Sequence, residues 1–102
     1  MINEIKQARA QMLTEEQKTF ILKFLKRELT RKEFAVIEGA RHFSSHRSDK
    51  WILRDEPDHN FMQCRAPYHC HVAIADWLRG LGFHIDRYIN RGGVDYGLKV
   101  WF

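Results

Sequence analysis

Few residues in this chain could staple or punctuate a small fold. Two cysteines among 102 residues are too few for the disulfide framework of a secreted mini-protein, so an intracellular chain with reduced thiols is expected. Two prolines and six glycines exclude collagen-like and low-complexity composition. No apolar run approaches the roughly 18 residues of a membrane span, and the polar start lacks a signal-peptide pattern; no membrane partner is expected. Catalytic signatures are missing too: there is no Gly-X-Ser-X-Gly elbow, no His-Glu-X-X-His and no phosphate-binding glycine loop.

What is present is an ordinary folding composition. Leu, Ile, Val and Phe supply 27 residues, and 44% of the chain is hydrophobic, enough to exclude disorder and to build one domain over residues 1–102. The net charge of +4 is unevenly spread. Residues 51–102 are balanced, while the stretch from Lys23 to Lys50 holds eight basic against four acidic residues. Such an excess favours encounter with an anionic partner, and equally suits a solvated helix face.

Periodicity gives an expected order α-α-α-β-β-α-β-β, an α+β domain whose N-terminal helices pack on a small antiparallel sheet. Ile2, Ile5, Arg9 and Met12 fall near helical spacing. Thr14-Glu15-Glu16-Gln17 has the form of a capping box. After it, Phe20, Ile21, Phe24, Leu25 and Leu29 form an apolar stripe. A second box, Thr30-Arg31-Lys32-Glu33, predicts a new helix carrying Phe34, Ile37 and Ala40 and stopped by Gly39, with one continuous helix through Thr30 as the competing reading. Residues 41–50 read as a loop. Trp51–Arg54 and Asn60–Cys64 read as strands joined by a turn.

Pro67 suits the first turn of a helix whose core face is Cys70, Ile74, Trp77, Leu78 and Leu81, ended by Gly82 with Phe83 folding back on Leu78. A closing hairpin turns at Asn90–Gly93, and Leu98, Val100 and Phe102 are expected on its buried side. Tyr88 and Trp101 are expected to pack beneath the N-terminal helices, covering the second face of the sheet.

The loop Arg41-His42-Phe43-Ser44-Ser45-His46-Arg47-Ser48-Asp49-Lys50-Trp51 is the first candidate site. Arg41, Arg47 and Lys50 are cationic donors, Ser44 and Ser45 hydroxyl donors, and His42 and His46 could bind or transfer protons. Trp51 could stack on a base or anchor the loop to the core. Lys23, Lys26 and Arg27 on the helix, and Arg87 and Arg91 at the hairpin, are secondary binding candidates. Cys64, His69, Cys70 and His71 are zinc-type ligands at the wrong spacing, since consecutive helical residues point about 100° apart. No catalytic residue, metal or cofactor is expected.

The segment Trp77-Leu78-Arg79-Gly80-Leu81-Gly82-Phe83 and the closing Leu98-Lys99-Val100-Trp101-Phe102 resemble the pattern of small accessory proteins of tailed bacteriophages, of the host-takeover or anti-defence type. That resemblance implies a non-enzymatic protein occupying a surface of a host protein or protein–nucleic-acid complex, such as an anti-CRISPR inhibitor, in the host cytoplasm. The basic balance departs from strongly acidic DNA mimics. Two other readings stand beside it: a nucleic-acid-binding module using residues 23–50, and a nucleotide-binding protein or metal-free nuclease using the His/Ser/Arg loop.

Overall fold

A computed structural model describes residues 13–40, 50–89, 91–93 and 95–102. Within these the order is helix α1 (Glu15–Arg31), strands β1 (Ala35–Ala40), β2 (Ile52–Glu56) and β3 (Phe61–Pro67), helix α2 (His71–Gly80), and strands β4 (His84–Ile89) and β5 (Asp95–Trp101). Short 3-10 turns at Pro57–His59 and Tyr68–Cys70 flank β3. The expected helix over residues 2–12 lies outside the described residues.

The sheet has five strands in the order β2-β3-β1-β5-β4. It is mixed rather than antiparallel, because β1 runs parallel to β3. The other neighbouring pairs are antiparallel. The class is α+β, as expected, but the helix count and order are corrected.

That correction centres on residues 31–40. Thr30 caps no second helix. Its hydroxyl donates back to the Lys26 carbonyl at 2.6 Å, inside the last turn of α1. The helix ends as the Lys32 N–H bonds to the Glu28 carbonyl, with Lys32 already extended at φ −134°. Phe34, Ile37 and Ala40 do fall three apart, but the burial has period two: Ala35, Ile37 and Gly39 are buried, while Val36 and Glu38 are half-buried. Adjacent β-branched Val36 and Ile37 favour the pleated conformation. Ile37, wholly buried and paired with Leu98 of β5, outweighs the local capping signal.

Elsewhere the sequence patterns are realised in part. Thr14 accepts from the Gln17 amide at 3.0 Å, and the Gln17 side chain accepts from the Thr14 amide at 2.9 Å. Ile21, Phe24 and Leu25 bury the α1 stripe against the sheet, each contributing roughly 1.5–3 kcal/mol. Of the core face predicted for α2, Cys70, Ile74 and Leu78 are buried, whereas Trp77 is half-buried and Leu81 exposed. Pro67 closes β3 instead of opening α2, and the turn at Tyr68–Cys70 intervenes.

Both helices contribute to one core cluster with Ala35, Ile37, Met62, Cys64, Leu98 and Val100. They therefore lie on the same face of the sheet. In β5, Leu98 and Val100 are buried as expected, but Phe102 is 76% exposed and stacks on Phe83 with ring centroids 5.1 Å apart. Gly97, at φ +136°, lets β5 close on β1; a side chain there would collide with the Ile37 carbonyl oxygen.

Candidate functional site: the sheet face opposite the helices

With α1 and α2 on one side, the opposite face of the sheet carries no covering element among the described residues. Neither helix lies over Tyr88 and Trp101, so the expected packing beneath the N-terminal helices is not found for α1. Strand alternation and register place Val36 opposite Lys99, Lys99 opposite Asp86, and Trp101 opposite His84 on this face.

The face divides into two halves. On β1–β3–β2 the polar groups satisfy one another. One Glu38 carboxylate oxygen accepts from Gln63 at 3.0 Å and from Arg65 Nε and Nη2 at 3.1 and 2.9 Å. Arg54 pairs with Glu56 at 2.7 Å and lies 5.8 Å from the centre of the Phe61 ring. These carboxylates cancel the local positive charge.

The half on β5 and β4 is different. Phe34 packs on Tyr88 at 5.7 Å, Tyr88 on Tyr96 at 6.1 Å, and His84 on Trp101 at 5.6 Å between ring centroids. The Lys99 ammonium sits among them, 4.5 Å from the Phe34 ring centre and 5.6 Å from that of Trp101. It has no carboxylate at ion-pair distance among the described residues. Asp86, directly across the ladder, instead accepts from the Arg87 amide at 2.8 Å. A cation held by ring faces is attracted to their quadrupoles while keeping its donors for another group.

The sequence-derived candidates fare unevenly. Arg41, His42, Ser44, Ser45, His46 and Arg47 lie outside the described residues. Lys50 is exposed, and Trp51 packs against the core cluster, as an anchor would. Lys23 is engaged with Asp55 at 2.7 Å, and Arg27 Nη2 donates to the Asn60 carbonyl and, at 2.8 Å, to its side chain. These two residues fasten α1 to the β2–β3 hairpin. Lys26, Arg87 and Arg91 are exposed; Arg87 is registered opposite Leu98, on the helix side of the sheet and away from Lys99.

Of the zinc-type residues, His69 is exposed, Cys70 is in the core, and His71 Nε2 bonds the Ala66 carbonyl at 3.0 Å. Among the described residues no three His, Cys, Asp or Glu side chains converge on a metal position. No described helix is long and apolar enough to cross a membrane.

Phe34 is the member of the ring array that sequence reasoning missed, because its spacing assigned it to a helix. Tyr88, Lys99 and Trp101 are recognisable as the outer hairpin face by their alternation, whereas Tyr96 falls in step with Leu98 and Val100 and meets Tyr88 beside the register shift between β4 and β5. Comparison with protein-family models, curated proteins and solved structures finds no match to this chain.

Proposed function

We propose that this chain is a non-enzymatic binding protein that holds a single-stranded nucleic acid on the sheet face opposite α1 and α2. The observation that carries this reading is Lys99, set between Phe34 and Trp101 with no carboxylate partner among the described residues. Phosphate needs a cation with available donors, and unstacked bases need ring faces; Lys99 beside half-buried Phe34, Tyr88 and Trp101 offers both. The reading moves the nucleic-acid contact away from the basic stretch 23–50, whose Lys23 and Arg27 are engaged within the fold.

The test is titration of a labelled oligonucleotide of roughly ten nucleotides, a length within the usual site size of a single-strand module. The single strand is expected to bind more tightly than its duplex. Trp101→Leu should weaken binding by about 1–3 kcal/mol for a lost stack. Lys99→Gln should flatten the log–log salt dependence by about 0.7, the increment for one phosphate contact on a single strand. Affinity unchanged in both variants would refute the reading.

Exposed Ile89 and Tyr96 at the turn end of the same hairpin favour a second reading. In it, this apolar end docks on a host protein or protein–nucleic-acid complex, as an inhibitor of phage type would. A purified partner whose binding is abolished by Ile89→Asp and indifferent to Lys99→Gln would select it.

A further inference from the structure

The parallel ladder between β1 and β3 is short. It runs from Glu38 opposite Arg65 to Ala40 opposite Pro67. Over residues 35–37, β1 is paired only with β5. The two parallel strands splay apart there and leave a cleft of about 440 Å³. Its wall toward α1 combines buried Phe24, Ala35 and Met62 with the Glu28–Lys32 ion pair. Phe34 and Tyr88 stand at its opening on the face opposite the helices.

Strand alternation fixes which main-chain groups point into this cleft. A side chain built on Gly97 of β5 would run into the Ile37 carbonyl oxygen and the Gly39 nitrogen, so Ile37 and Gly39 turn their polar groups toward β5. Val36, between Ala35 and Ile37, therefore turns its N–H and C=O the other way, into the cleft, where no described strand takes them up. A donor and an acceptor are thus presented side by side next to the apolar side chains of Phe24, Ala35 and Met62.

We propose that the cleft is a pocket for one nucleobase, hydrogen-bonded along its edge to Val36; the proposal rests on reading the adjacent ring array as a platform for a nucleic-acid strand. A base offers a matching acceptor and donor on one edge and two flat faces. Its size suits a cleft at the small end of ligand pockets. A small cation fits less well, since Glu28 is paired with Lys32 at 2.9 Å and Glu38 with Gln63 and Arg65. A purely apolar occupant would leave the Val36 N–H and C=O without partners, at a desolvation cost. Phe34 and Tyr88 belong to both cleft and array, so a base entering the cleft would neighbour one stacked beside Lys99.

The experiment follows backbone amide resonances of the ¹⁵N-labelled full chain with four titrants: adenosine monophosphate, uridine monophosphate, inorganic phosphate, and a single-stranded oligonucleotide. The expected result is a shift of the Val36 amide with either mononucleotide and with the oligonucleotide, none with phosphate, and half-saturation by the oligonucleotide at a concentration at least tenfold lower. A Val36 shift with mononucleotides alone supports the pocket as a site for free nucleotide and removes the strand. An oligonucleotide that shifts Lys99 and Trp101 while Val36 stays in place overturns the pocket and leaves the sheet-face reading standing. An equal shift with phosphate, or none with any titrant, overturns the pocket.

Discussion

Cys64 lies in the middle of β3 at 1% exposure, facing the helix layer and paired across the ladder with Leu53. Burial pushes its thiol up to about 12, and the Glu38 carboxylate adds to the rise. The folded value lies above that of the unfolded chain, so the neutral thiol is the form the fold favours. Its stabilising contribution is complete below the unfolded thiol range, near pH ~8.5, and is lost as pH rises from there toward 12. Urea unfolding is therefore expected to show stability falling above about pH 9, with a shallower fall in Cys64→Ala. Identical slopes in the two proteins would show that this thiol does not contribute. Position alone could not reveal this. Cys70 falls on a helical stripe and reads as core from spacing, whereas Met62, Cys64 and Ala66 alternate with Gln63 and Arg65 in a run too short and too mixed to announce a central strand.

Among elements, legibility follows how local the determining forces are. The α1 capping box and the end of α2 depend on residues within one turn, and both are as the sequence implies. At the end of α2 the Phe83 N–H reaches the Leu78 carbonyl at 3.1 Å and the Gly82 N–H the Arg79 carbonyl at 3.0 Å, with Gly82 at φ +101°. This is the main-chain closure of a Schellman motif. Alanine at Gly82 would have to hold a positive φ, so Gly82→Ala should lower stability by about 1–2 kcal/mol. Gly80 is helical, and a methyl group added there meets nothing within 4 Å, so Gly80→Ala should be neutral or stabilise by up to about 1 kcal/mol. Chemical denaturation of the two variants checks the pair, and equal losses would contradict the assignment. The failure at residues 31–40 has the opposite origin. Thr30 to Glu33 satisfies a local helix signal, but the conformation of Val36 and Ile37 is decided by β5, which arrives much later in the chain.

At the scale of the whole molecule, the site is less legible than the fold because its parts are assembled by topology. Phe34 precedes β1, while Tyr88, Lys99 and Trp101 come from the last two strands, and only the order β2-β3-β1-β5-β4 brings them together. The same topology separates the basic residues into two kinds, which spacing alone treats alike. Lys23 and Arg27 hold α1 to the β2–β3 hairpin through Asp55 and Asn60, and Lys99 faces outward among rings. The two kinds should respond oppositely to substitution. Replacing Lys23 and Arg27 together by Ala removes an exposed ion pair worth about 0–1 kcal/mol and a hydrogen-bonded contact worth about 0.5–1.5 kcal/mol, so stability should fall while oligonucleotide affinity and its salt slope change little. Lys99→Gln should leave the unfolding midpoint close to that of the parent and lower affinity. Measuring both properties on both variants decides the matter: loss of affinity in the Lys23/Arg27 variant with none in Lys99→Gln would return the binding surface to the basic helix and take it from the sheet.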